Sequence, residues 1–335
     1  MTLRLKILII CFLPLLSFGQ TIRPEMKSLV DSITGYDRLD GMYIGYHGIK
    51  SKQYDRLNLL TDISYSKELL ELIKSKNTTI KCAAFQSLCS KDSIDIIPIV
   101  ISHLYDTSLV SIQQGCIGSR QIVGDYFLQT FYSYLATKDS SYFVNNYSSI
   151  VEVDSILFYD PAIRLAYKDA RINGTNGDTL YYDRIRKIAL NERIPVSVLA
   201  LAKYKREQDK EIIASYFADD QTQYYAIWAV REFPDTTFYP LLVKVFEKEW
   251  KEKYYDYTKW RILYQALAKY PNAKTLELFD KTINARNKFR RETLGRYMII
   301  AITKYPNPFF EKYQSKVEID KFHREFWGEE ASAEN

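Results

Sequence analysis

The residues best suited to chemistry in this chain of 335 are few and scattered. Its three histidines, His47, His103 and His323, stand far apart. No His-Glu-x-x-His or Cys-x-x-Cys spacing gathers ligands on one turn, so neither a metal site nor a cofactor is expected. There is no Gly-x-Ser-x-Gly elbow. The glycines of GMYIGYHG, residues 41–48, lack the strand-to-helix setting of a phosphate loop. No catalytic residue is expected, and the chain reads as a binding protein rather than an enzyme.

Three stretches carry binding chemistry. GCIGSRQIVGD, Gly115 to Asp125, holds three glycines where a helix should run, and Arg120 with Asp125 would line a pocket there. Close helix packing or a break in the helix also accounts for the glycines. NARNKFRRETLGR places Arg286, Arg290 and Arg291 in one basic run, which suits an anionic ligand or a solvated face at a repeat junction. Trp250, Tyr254, Tyr257 and Arg261 recur at i, i+4, i+7 and i+11, so on one helix they would share a face. Exposed, that face would suit a protein partner, where Trp, Tyr and Arg dominate; buried, it would pack between neighbouring units.

Charge and the N-terminus narrow the setting. Forty-six basic against 41 acidic residues give +5, too mild for the basic stripe of a nucleic-acid binder. The first twenty residues, MTLRLKILIICFLPLLSFGQ, have a cationic start, an apolar run of about ten residues and a small, polar end. That is a secretory signal peptide over residues 1–19, since a spanning helix needs roughly twenty apolar residues. The expected location is exported, periplasmic or extracellular. Loss of Arg4 and Lys6 with the leader lowers the charge to +3. Cys82, Cys89 and Cys116 then remain, an odd number. Cys82 and Cys89 lie about 10 Å apart along a helix, too far to bond. Cys116 would reach one of them only from a neighbouring helix, and three small buried hydrophobes is the plainer reading.

The elements that must position these groups are marked by a recurring phrase: an apolar run, a basic residue, an aromatic, Pro, then Asp or Asn. It occurs at Phe233-Pro234-Asp235, Tyr270-Pro271-Asn272 and Tyr305-Pro306-Asn307, with prolines 37 and 35 residues apart. Pro271 pushes Tyr270 out of the helical region, and Asn272 is a good cap for the next helix. The phrase is therefore the corner of a helical hairpin. Tyr204 marks a further copy without proline, and the segment from Cys82 another. A period of 20–50 residues is the mark of a stack whose units bury their apolar faces on one another.

The segments from His103, Ser215 and Leu278 each run from an apolar helix end through a short polar break into the next helix, with Val110 opening the next helix in the first of them. In this they resemble HEAT repeats. The period is shorter than usual for HEAT units and close to that of tetratricopeptide repeats, whose small-residue pattern is missing. LSFGQ at the leader's end is similar to signal-peptide ends of exported Bacteroidetes proteins, and Asp-Ser/Thr-aliphatic-or-Thr triplets such as Asp31-Ser32-Ile33 and Asp92-Ser93-Ile94 resemble their O-glycosylation signal, though they also read as ordinary helix caps.

The expected fold is all-α, an α-solenoid of stacked antiparallel helix pairs. Residues 20–60 form an N-terminal cap whose glycines, Gly35, Gly41, Gly45 and Gly48, make turns before the first helix. Residues 61–320 form the solenoid, with an irregular insertion around 121–178, and residues 321–335 a polar tail. The resemblance implies non-catalytic binding of another protein or envelope macromolecule, without stable membrane insertion of the mature chain. The alternatives are a helical-repeat protein acting on nucleic acid, of the HEAT-like DNA glycosylase type, and a structural domain of a surface assembly.

Overall fold

The computed structural model describes residues 22–316 apart from 92, 93, 289 and 314. The stretch read as a signal peptide, His323, the stretch read as a polar tail and the Asp92-Ser93 pair lie outside the described residues. The described chain is predominantly helical and divides between Tyr167 and Lys168 into two compact units. It is not all-α, because the first unit contains a four-stranded mixed sheet.

In the first unit α1 (Pro24–Tyr36) leads into β1 (Leu39–Ile44) and β2 (Ile49–Lys50). Helices α2 (Lys52–Ile63), α3 (Ser66–Ile73), α4 (Thr78–Lys91) and α5 (Ile97–His103) follow, then β3 (Leu109–Gly115), β4 (Ile117–Ile122), α6 (Val123–Leu135) and α7 (Ser140–Tyr159). The strand order is β2-β1-β3-β4, with β1 parallel to β3 and the other pairs antiparallel. The expected turns before a first helix are thus corrected: residues 22–60 hold α1, β1, β2 and most of α2, with Gly35 in α1 and Gly41 in β1. Gly45 and Gly48 do form a turn, at φ of 73° and 62°.

The segment from Val110 to Ile122, read as helical, is a β-hairpin. Val110 is buried and Ile112, two residues on, packs against the core, while Leu109 is exposed, which is strand spacing. Gly115 and Cys116 join the strands, and Gly115 has φ of 55° at the first central position, as a type II′ hairpin turn requires. The third glycine has a packing role. A Cβ on Gly124 would stand 2.9 Å from the His103 carbonyl oxygen and 3.0 Å from Leu165. Beneath the sheet, Phe85, Phe127 and Phe131 are wholly buried, and the Phe85 and Phe127 rings stack at 4.1 Å.

The helix α8 (Ala166–Asn173) precedes α9 (Tyr182–Lys187), α10 (Pro195–Ala202), α11 (Lys210–Ser215), α12 (Asp220–Glu232), α13 (Tyr239–Glu249), α14 (Tyr257–Ala268), α15 (Ala273–Ile283) and α16 (Gly295–Lys304). In the second unit α10 packs on α12, α12 on α14 and α14 on α16, while α11, α13 and α15 each contact the helix that follows. The recurring phrase forms the corners. Phe233 and Tyr305, held before proline, leave the helical region at φ/ψ of −122°/74° and −121°/73°. The Asn272 side chain caps α15 by accepting from the Thr275 N–H at 3.0 Å. The Asp235 carboxylate accepts from the Thr237 N–H at 2.9 Å.

Four tyrosines tie neighbouring corners and helices together. The Asp235 N–H donates to the Tyr270 hydroxyl at 3.1 Å, and the Tyr239 hydroxyl donates to Asn272 at 3.1 Å. The Tyr204 hydroxyl donates to the Asp178 carbonyl at 2.8 Å, and that of Tyr313 to Asp280 at 2.8 Å. Lys281 and Lys312 reach back to Glu247 at 2.6 Å and Asp280 at 2.9 Å.

Candidate functional site

A groove of about 480 Å³ crosses α10, α12, α14 and α16 in the second unit. Helical spacing sets its walls. Tyr224, Trp228, Arg231 and Glu232 lie at i, i+4, i+7 and i+8 on α12, and Arg261, Ile262 and Gln265 line it from α14. Lys203 directly follows α10, and Lys304 ends α16. Four cations, Lys203, Arg231, Arg261 and Lys304, therefore face one carboxylate, that of Glu232.

Each wall is held by specific contacts. The Arg231 guanidinium is buried and donates to the Gln265 side-chain oxygen and to Glu232, at 2.6 Å for the latter. It also stands 5.4 Å from the Trp228 ring centroid, and Trp228 meets Tyr224 edge-on at 5.9 Å. Lys203 donates to the Asn173 carbonyl at 3.1 Å and the Asn176 side chain at 3.1 Å, both neutral acceptors. Burial pulls the Lys203 ammonium below its ordinary value, and the Glu232 charge works the other way. An anion entering here would reinforce the charged form of Lys203 and offset the cationic surplus. The indole and phenol supply flat apolar surface beside those charges.

The residues singled out in the sequence take other places. Trp250, Tyr254 and Tyr257 do not share a helical face, because α13 ends at Glu249 and Tyr257 starts α14, with a loop between. Trp250 stacks on Phe246 at 5.5 Å and lies under the Arg290 and Lys281 cations at 4.9 and 5.2 Å. Tyr254 is 82% exposed, and Tyr257 is exposed as well. Arg290 donates to the Tyr255 hydroxyl and to the Glu252 carbonyl, and Arg291 to the Ala285 carbonyl at 3.1 Å. Arg286 is exposed. Arg120 and Asp125 do not meet as a pair. Arg120 is exposed on β4, whereas the buried Asp125 carboxylate accepts from the Ala166 and Tyr167 N–H groups, both at 3.1 Å. Of the aromatic run only Arg261 reaches the groove.

The remaining reactive side chains are structural or exposed. Cys82 and Cys89 are buried free thiols, and burial pushes Cys89 up to about 12 and Cys82 higher. Cys116 is free and exposed at the hairpin tip, not buried as expected. His103 stacks on Phe127 at 4.3 Å, and burial lowers its proton affinity. His47 is exposed in the turn between β1 and β2. Among the described residues no helix is long and apolar enough to cross a membrane.

The groove residues other than Arg261 had escaped notice because they come from separate repeats. The signal was present: Tyr224 and Arg261, like Trp228 and Gln265, lie 37 residues apart, the spacing of Pro234 and Pro271. The basic residue of the recurring phrase supplies Lys203 and Lys304. No protein-family model, curated protein or solved structure matches the chain.

Proposed function

We propose that the chain is an exported, non-catalytic scaffold, and that the groove of its second unit takes an acidic segment of a protein partner. The helix pairs from α10 to α16 are read as a HEAT-like α-solenoid, in which stacking builds an extended surface rather than a closed pocket. The observation that carries the reading is the groove's lining: four cations and two aromatic rings from successive pairs against one carboxylate. Aromatic residues and arginine are the side chains that dominate protein interfaces. The signal-like N-terminus supports the exported setting.

A cationic, aromatic groove also suits a nucleic-acid strand, the reading in which the chain resembles HEAT-like glycosylases. Glu232 within the groove and the leader-like N-terminus favour protein. Fluorescence anisotropy of the full chain with a labelled Glu/Asp-rich peptide, and with single-stranded DNA of equal charge, separates the two. Tighter, saturable binding of the peptide is expected, weakened at least tenfold by Arg261→Glu. Preference for DNA would replace the proposal with the nucleic-acid reading.

A further inference from the structure

A second cavity, in the first unit, has the opposite chemistry. It is an open cleft of about 950 Å³ between the sheet and helices α2, α4 and α6, each of which packs on a strand. That volume is at the upper end for small-ligand sites, which run from about 300 to 1,000 Å³. Its polar walls combine Ser, Thr and Tyr hydroxyls with five side-chain amides: Gln86 on α4, Gln129 on α6, Gln114 and Gln121 on the strands, and Asn58 on α2. Hydroxyls of Ser90 and Ser133 and the ring of Tyr54 join them.

Charge is nearly absent and already compensated. Two charged side chains line the cleft, Asp40 and Lys138. The buried Asp40 carboxylate accepts from Arg38 at 2.6 Å, Ser51 at 2.6 Å and Tyr36 at 3.0 Å. The Lys138 ammonium lies 4.2 Å from the Tyr134 ring centroid. With Asp40 already bonded to three donors and Lys138 set over the Tyr134 ring, the lining offers an ion little counter-charge.

The amides are set out in half-satisfied pairs. Gln121 Nε2 donates to Gln129 Oε1 at 3.0 Å, and the Tyr126 hydroxyl donates to Gln86 Oε1 at 2.7 Å. These bonds fix each amide's orientation and leave the Nε2 donors of Gln129 and Gln86 and the Oε1 acceptor of Gln121 without a partner among the described residues. The Gln114 amide has no side-chain hydrogen bond among the described residues, and Gly41 leaves the space it occupies, since a Cβ there would stand 2.4 Å from Gln114 Oε1. The walls therefore offer both donors and acceptors. A ligand that matches them must donate and accept at closely spaced points while carrying no charge, as the hydroxyls of a sugar do.

The geometry points to a binding site for an uncharged oligosaccharide in this cleft, held by the amides of Gln86, Gln114, Gln121 and Gln129. A peptide strand would also offer donors and acceptors, but it would turn every second side chain into walls that hold neither a spare charge nor a dry pocket. The cleft is independent of the cationic groove, so either assignment can fail alone.

Isothermal titration calorimetry of the full chain with maltohexaose, cellohexaose, xylohexaose and chitohexaose tests it, with a heparin hexasaccharide as the charged comparison. At least one neutral oligosaccharide is expected to saturate a single site with little dependence on salt. Gln129→Ala and Gln114→Ala should each weaken it at least tenfold, while Gln113→Ala, on the opposite face of the sheet, should not. Thermal melts of all three variants check that the unit still folds, and Gln129→Glu, which keeps the volume but replaces a donor by a charge, should abolish binding. Failure of all four neutral sugars overturns the assignment. So does tighter binding of the heparin fragment or of a neutral Gly-Ser peptide, or affinity indifferent to the glutamine substitutions.

Discussion

The hydroxyl of Tyr270 accepts a hydrogen bond from the backbone N–H of Asp235 at 3.1 Å, so the aromatic of one corner satisfies the capping residue of the corner before it. The two residues occupy neighbouring copies of the same phrase, and burial pushes the phenol up to about 12. Tyr270→Phe leaves the ring and removes the acceptor. The expected loss is about 1–2 kcal/mol, read as a fall of roughly 2–6 °C in melting temperature. An unchanged melt would mean that water replaces the hydroxyl at no cost.

Asn272→Ala should weaken the start of α15, because its side chain is the acceptor for the Thr275 N–H. Loss of such a cap costs about 1 kcal/mol, while Asn272→Asp should be close to neutral. Urea midpoints of the two variants separate a capping role from mere surface change.

The glycines of the hairpin region should differ in sensitivity. Gly124→Ala would drive a methyl against the His103 backbone carbonyl, an overpacking that costs about 1–3 kcal/mol. Gly118→Ala meets only the movable end of the Gln113 side chain and should cost less. Equal losses at the two positions would contradict the packing described for Gly124.

Glu68 sets part of the acid response. Its hydrogen bond from the Arg23 side chain, with further ones from the Tyr65 and Arg23 N–H groups, outweighs burial and holds its carboxyl down from 4.5 to about 2. A carboxylate depressed in the folded state stabilises above its unfolded pKa and loses that stabilisation as pH falls through the folded value. The contribution is thus whole above about pH 4.5 and fades toward pH 2. Glu68→Gln should be less stable at pH 7 yet lose less between pH 4.5 and 2.5, measured by urea midpoints. Parallel curves for the two proteins would remove Glu68 from the acid response.

Legibility in the sequence followed the range of the interactions involved. The corners could be read because Pro271, Asn272 and Asp235 act within a few residues of themselves. The sheet could not, because β1 meets β3 across the whole of α2 to α5 and the pairing of Leu39 with Ile112 leaves no local trace. The hairpin of β3 and β4 did leave one, apolar Val110 and Ile112 at strand spacing ahead of Gly115, but its glycines suggested a pocket beside Arg120 and Asp125 instead. The groove escaped for a third reason. Lys203, Trp228, Arg261 and Lys304 are unremarkable one by one and gain meaning only when successive pairs stack. Lys269, the basic residue before Tyr270 in its corner, lies 3.7 Å from the Tyr305 ring centroid in the next corner.

The most direct test of the groove is the affinity of the full chain for a Glu/Asp-rich peptide as salt is raised, in the native protein and in Arg261→Glu. Saturable binding that weakens steeply with salt and falls at least tenfold in the variant is the expected result. Binding that ignores both salt and the charge reversal, or that is stronger for single-stranded DNA of equal charge, would contradict the account.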